Sequence, residues 1–110
     1  MTLTIDCETS ERTTTLRIRG TMDISTIDRF REQSEQAFEM PGEERTLVVD
    51  FEGLEFIDST GIGMIVELLH RSRDHGYAME FQGIREEIAD IFETIGILRI
   101  LEAFSKGASR

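Results

Sequence analysis

Cysteine and proline each occur once in the 110 residues, as Cys7 and Pro41, and positive charge is in short supply. A lone cysteine excludes an intramolecular disulfide and a cysteine-rich zinc site. It suits a reducing cytoplasm, where the chain is expected to work. Against 22 Asp and Glu there are only 12 Lys and Arg, a formal net charge of −10. A chain this acidic repels phosphate backbones, which disfavours non-specific nucleic-acid binding, and it repels anionic membrane surfaces for the same reason. No apolar run approaches the roughly 20 residues that a membrane helix needs. The opening residues, Met1-Thr2-Leu3-Thr4-Ile5-Asp6, have neither a basic region nor an apolar stretch, so no signal peptide is expected. A chain of this length supports one core, and a single domain over residues 1–110 is expected.

What is present is an alternation of two periodicities. Leu3, Ile5 and Cys7 alternate with polar residues, as do Leu16 and Ile18 within residues 13–19, which predicts two half-buried strands. The polar stretch at 8–12 predicts a hairpin turn between them. Ile27, Phe30, Ala37 and Phe38 predict a helix over 26–39, with Ser25 as its N-cap and Asp28 completing an acidic form of the capping box. Pro41 marks a loop at 40–44. The apolar run at 47–51 has lost its alternation, which predicts a central strand covered on both faces. A second helix is predicted over 59–76, with Ile62, Ile65, Val66 and Leu69 as its buried stripe and Gly76 as its left-handed stop. A fourth strand is predicted at 77–81. A third helix should occupy 85–94, with Ile88, Ile91, Phe92 and Ile95 inward and Gly96 as its stop. A last strand at 97–101 and a frayed tail at about 105–110 complete the reading. The fold class expected is α/β, a mixed sheet of four to five strands with helices packed against it.

Ser59 invites a nucleophile reading. Its context, Phe56-Ile57-Asp58-Ser59-Thr60-Gly61, is not the Gly-x-Ser-x-Gly elbow, and a serine triad also needs a histidine base. His70 lies eleven residues along the same predicted helix, roughly 16 Å away at the helical rise, and His75 is further still. A helix-capping serine is the better reading. His70 and His75, five apart, do not share a face and read as solvated residues at a helix C-terminus, not as metal ligands. Gly61-Ile62-Gly63 lacks the third glycine and the lysine of nucleotide loops. Glu43-Glu44 and Glu86-Glu87 read as solvated faces, and Cys7 as inert packing. No catalytic residue, metal or cofactor is expected. The segment 58–63 nevertheless joins two hydroxyls to two glycines that remove side-chain bulk, so another macromolecule can approach the backbone. Met64 and Leu68 fall off the predicted stripe and are expected to add apolar docking surface beside the hydroxyls.

Asp58-Ser59-Thr60-Gly61-Ile62-Gly63 resembles the Asp-Ser-(Ser/Thr)-Gly-Leu-Gly signature of STAS-domain anti-sigma factor antagonists of the bacterial partner-switching type. Gly20-Thr21-Met22-Asp23 resembles that family's Gly-Glu-(Leu/Ile)-Asp segment, with Thr21 replacing the glutamate. Ile91-Phe92-Glu93-Thr94-Ile95-Gly96-Ile97 is similar to its late apolar-Phe-x-x-apolar-Gly-apolar pattern. The resemblance implies a single STAS domain acting as a non-enzymatic switch, with Ser59 as phosphoacceptor. It implies that the unphosphorylated protein binds a GHKL-type anti-sigma factor serine kinase and so frees a sigma factor. Phosphorylation by that kinase, with the kinase's own Mg-ATP, would separate the pair, and a PPM-type serine phosphatase would reset it. The partner surface expected is Asp23, Asp58, Ser59, Thr60, Gly61, Gly63, Met64 and Leu68. The alternative is a STAS binding subunit of another system, such as a lipid-transport complex or a cyclase regulator, which does not require a serine phosphate. A phosphorylatable Ser59 favours the switch.

Overall fold

A computed structural model describes residues 2–39 and 45–96. The alternating segments form four strands, β1 (Leu3–Thr9), β2 (Thr13–Met22), β3 (Thr46–Ile57) and β4 (Ala78–Gln82), in one sheet of that order. β1 and β2 pair antiparallel as the expected hairpin, whereas β2–β3 and β3–β4 are parallel, so the sheet is mixed. Residues opposite one another in a ladder share a face. The register sets Cys7 by Leu16, Leu16 by Val49, and Val49 by Phe81, and this row belongs to the core face. Leu16, Ile18, Leu47, Val49 and Phe51 on that face are fully buried.

Three helices cover it: α1 (Ile27–Ser34), continued by a 3-10 turn over Glu35–Phe38, then α2 (Ser59–Asp74) and α3 (Glu86–Ile95). They bury Phe30, Ile65, Leu68, Ile88 and Phe92 against the strands. Phe51 is stacked with Phe81 and edge-on to Phe92, each ring 5.7 Å away, which seats α3 over β3. Gly96, at φ 96°, ends α3 in the left-handed conformation expected of it.

Several expectations are corrected. Among the described residues, helices cover β3 on one face, not two. Val48 and Asp50 point to the other side and are only half-buried, and there Arg17 lies 2.7 Å from Glu8 and Arg19 2.8 Å from Asp6. Val48 lies between Thr15 of β2 and Glu80 of β4 in the ladder. The strands also run longer than alternation indicates, because two register shifts place extra β3 residues opposite β2 after Asp50 and after Leu54. Such bulges break the period of two without ending the strand. Ile95, expected inward, is 44% exposed; Ile88 and Phe92 complete the stripe that meets β3, and Ile95 lies in the last turn beyond it. The loop expected at 40–44 and the strand and tail expected after Gly96 lie outside the described residues.

Candidate functional site

β2 and β3 run parallel and end side by side, with Met22 opposite Ile57. The Asp58 N–H donates to the Met22 carbonyl at 3.1 Å, which ties the start of α2 to the loop between β2 and α1. This register and hydrogen bond bring the residue after Met22, Asp23, to the same end of the sheet as the 58–61 segment. The loop is internally braced. Asp23 accepts from the Ser25 hydroxyl at 2.6 Å and from the Ser25 N–H at 2.9 Å. The Thr26 hydroxyl accepts from the Asp23 N–H at 3.0 Å and donates to the Thr21 carbonyl at 2.8 Å. The bond from the Ser25 hydroxyl, helped by the backbone N–H groups of Ser25 and Thr26, holds the Asp23 carboxyl below its ordinary range. Ser25 is therefore committed to Asp23, and Thr26, not Ser25, stands at the N-cap of α1. Thr21, beside Met22 at the end of β2, is buried.

Ser59 does not cap α2. Asp58 occupies the N-cap in extended conformation (φ −110°, ψ −172°), and its carboxylate accepts from the Gly61 N–H at 3.1 Å. A carboxylate suits that place better than a hydroxyl because it also meets the positive end of the helix dipole. Ser59 becomes the first helical residue, exposed, with its hydroxyl bonded to no described residue. Thr60 beside it is half-buried. Gly61 faces inward, where a Cβ would sit 2.6 Å from the Ile57 side chain and 2.8 Å from the Met22 carbonyl oxygen. Gly63 faces outward, where a Cβ would meet no described residue within 4 Å.

The buried stripe of α2 is Gly61, Ile62, Met64, Ile65, Leu68 and Ser72. Met64 and Leu68 are only 7% and 1% exposed, so the apolar docking face expected there is part of the core. Arg31 of α1 lies over Met64, its Nη2 3.6 Å from the sulfur. Val66 and Leu69, expected inward, are half-buried. At 100° per residue, Ser59, Gly63, Val66 and His70 line the opposite, outward side. The apolar surface near the site comes instead from Ile24, 76% exposed, and Phe56, 45% exposed, which sequence reasoning missed. Ile24 carried a signal, an isoleucine between Asp23 and Ser25 in a turn. Phe56 carried none, because the shift after Leu54 is what sets it opposite Thr21.

The histidines are remote from Ser59. His75 follows the last residue of α2, with its Nδ1 2.8 Å from the Arg71 carbonyl oxygen and its ring centroid 4.8 Å from that of Phe38. Arg71 stands over the same Phe38 and lies 2.6 Å from Glu35, whose carboxyl its hydrogen bond holds below the ordinary range. Arg71 and His75 are about 18 and 24 Å along the helix from Ser59. Burial pushes the Cys7 thiol up, in keeping with a packing role. Among the described residues, no helix is long and apolar enough to cross a membrane.

A four-strand mixed sheet with three helices, and a serine exposed at the start of the helix that follows β3, define a STAS domain. That family's profile matches residues 4–109, and the chain belongs to the STAS family. Among its relatives, the anti-sigma-B factor antagonist of Staphylococcus aureus is 25% identical over 97 residues, covering 88% of each chain. An anti-sigma factor antagonist from Mycobacterium paratuberculosis shares the fold, with a TM-score of 0.69 and 16% identity over 91% of this chain and 83% of that one. So does SpoIIAA. Its unphosphorylated form gives a TM-score of 0.68 at 20% identity, covering 87% of this chain and 84% of that one. The phosphorylated form of this Bacillus cell-fate determinant gives 0.63 at 21%, covering 89% and 87%.

Proposed function

We propose that this protein is an anti-sigma factor antagonist working by partner switching in the cytoplasm. In its unphosphorylated form it binds an anti-sigma factor that is also a GHKL-type serine kinase, and so frees a sigma factor. The kinase then transfers a phosphoryl group: the Ser59 Oγ bonds to the γ-phosphorus of ATP, the bond to ADP breaks, and the hydroxyl proton passes to a base of the kinase. The complex separates, and a PPM-type phosphatase restores the hydroxyl. One observation carries the reading. Asp58 takes the capping bond to Gly61, which leaves the Ser59 hydroxyl exposed at the head of α2 and bonded to no described residue. The names of the relatives, and the existence of SpoIIAA in both phosphorylation states, support the same assignment.

The test is intact mass and site mapping after incubation with the GHKL serine kinases of the same genome and Mg-ATP. One phosphate on Ser59 is expected, since Ser59 is exposed and Thr60 is half-buried. Phosphate chiefly on Thr60, or none on either, would remove the assignment.

The binding surface we assign is Asp23, Ile24, Ser59 and Gly63, with Ile24 as the apolar anchor in place of Met64 and Leu68. A turn already held by the bonds of Asp23 and Thr26 presents Ile24 with little left to order on docking. Burying such a side chain contributes about 1.5–3 kcal/mol. Ile24→Asp should therefore weaken kinase binding at least tenfold by calorimetry and leave the melting temperature unchanged, because so exposed a side chain supports little of its own fold. Equal affinity would take Ile24 out of the interface.

A further inference from the structure

Gly63 sits inside α2, four residues past Ser59, and nothing among the described residues requires it to be glycine. A Cβ there meets no described residue within 4 Å, and its φ is not positive, unlike those of Gly20, Gly76, Gly83 and Gly96. Glycine inside a helix destabilises it relative to alanine, because its unfolded backbone has more freedom to lose. Folding alone thus favours a side chain at this position. Gly61 is the internal contrast, since a Cβ there would run into Met22 and Ile57.

Direction completes the argument. Residues four apart on a helix lie one above the other, and each Cα–Cβ bond tilts toward the N-terminus. A side chain at position 63 would lean over the Ser59 hydroxyl. We infer that Gly63 is a specificity-determining residue for phosphorylation of Ser59, kept bare so that a nucleotide-bearing kinase cleft can close over the first turns of α2. The inference rests on Ser59 being the phosphoacceptor. Transfer requires the γ-phosphorus to come within about 3.5 Å of the Ser59 Oγ and in line with it. The bare Cα at Gly63 supplies clearance on the outward side of that approach, where Ser59 itself is exposed.

Gly63→Ala and Gly63→Leu test it in the full chain, with the GHKL serine kinases of the same genome and Mg-ATP. Gly63→Ala should raise the melting temperature by roughly 2–6 °C. In the same protein, kcat/KM for phosphorylation should fall at least tenfold, and in Gly63→Leu at least a hundredfold. A merely structural glycine would move stability and phosphorylation the same way, so the opposite signs are the signature. A lower melting temperature for Gly63→Ala, or wild-type kcat/KM for Gly63→Leu, overturns the inference and leaves Ser59 standing as phosphoacceptor. Failure of wild-type protein to gain phosphate on Ser59 is a different result, and it overturns both.

Discussion

Phosphorylated protein should bind its kinase at least a hundredfold more weakly than the unphosphorylated form, with the melting temperature of the free domain shifted by no more than a few degrees. The two halves of this expectation have separate causes. A serine phosphate adds about −1.5 to −2 charges at neutral pH. At the first position of α2 it meets the positive end of the helix dipole, which contributes about 0.3–1 kcal/mol at an exposed site. The neighbouring Asp58 opposes that gain, but its own carboxylate is already engaged with the Gly61 N–H, and water and salt screen what remains. Inside the domain the effects nearly cancel. In a docked complex the phosphate would instead be stripped of water against a surface fitted to a bare hydroxyl. Without new cationic partners that costs several kcal/mol, or orders of magnitude in affinity. Ser59→Ala should keep full binding and Ser59→Asp should lose most of it. Backbone chemical shifts of the free phosphorylated protein should change only around Ser59. Changes spreading through the sheet and α3 would instead show a conformational switch.

Gly61→Ala should cost about 2–4 kcal/mol of stability, the opposite sign from the substitution two residues later. The new Cβ would lie 2.6 Å from the Ile57 side chain and 2.8 Å from the Met22 carbonyl oxygen, and the second contact is with backbone that cannot turn aside. Overpacking of this kind costs about 1–3 kcal/mol when side chains can adjust and more when they cannot, against a helix-propensity gain of about 1 kcal/mol. Lifting α2 away would also strain the Asp58–Met22 hydrogen bond that joins the two halves of the site. Thermal denaturation checks it, with a fall of about 10 °C or more expected. An unchanged melting temperature would mean that α2 shifts off the end of β2 without loss.

Much of the fold was legible because its signals are local. Leu3, Ile5 and Cys7, then Leu16 and Ile18, alternate over enough residues to mark a hairpin, and Ile88 with Phe92 marks the core side of α3. The helix starts at Ser59 and ends near Gly76 as read from the sequence. The site was legible to the extent that a motif names residues. Asp23 and the 58–63 segment were both singled out, and pairing of β2 with β3 sets them together.

By itself, then, the sequence determined the order of strands and helices, the acidic charge and the serine at a strand–helix junction, all properties that neighbouring residues carry between them. Tertiary structure alone decided which side of α2 is inside. Ile62, Ile65, Val66 and Leu69 form a stripe of correct period, and so do Gly61, Met64, Ile65, Leu68 and Ser72, with Ile62 buried at the edge of the second. The second is the buried one because Gly61, where a Cβ would run into Met22 and Ile57, lets α2 approach the ends of β2 and β3. Smallness at a contact reads in sequence as mere absence of hydrophobicity. The same packing covered Met64 with Arg31, and the shift in register after Leu54 turned Phe56 outward. Asp58 took the cap because its carboxylate reaches the Gly61 N–H from the extended backbone that leaves β3, and that geometry leaves Ser59 exposed, its hydroxyl bonded to no described residue.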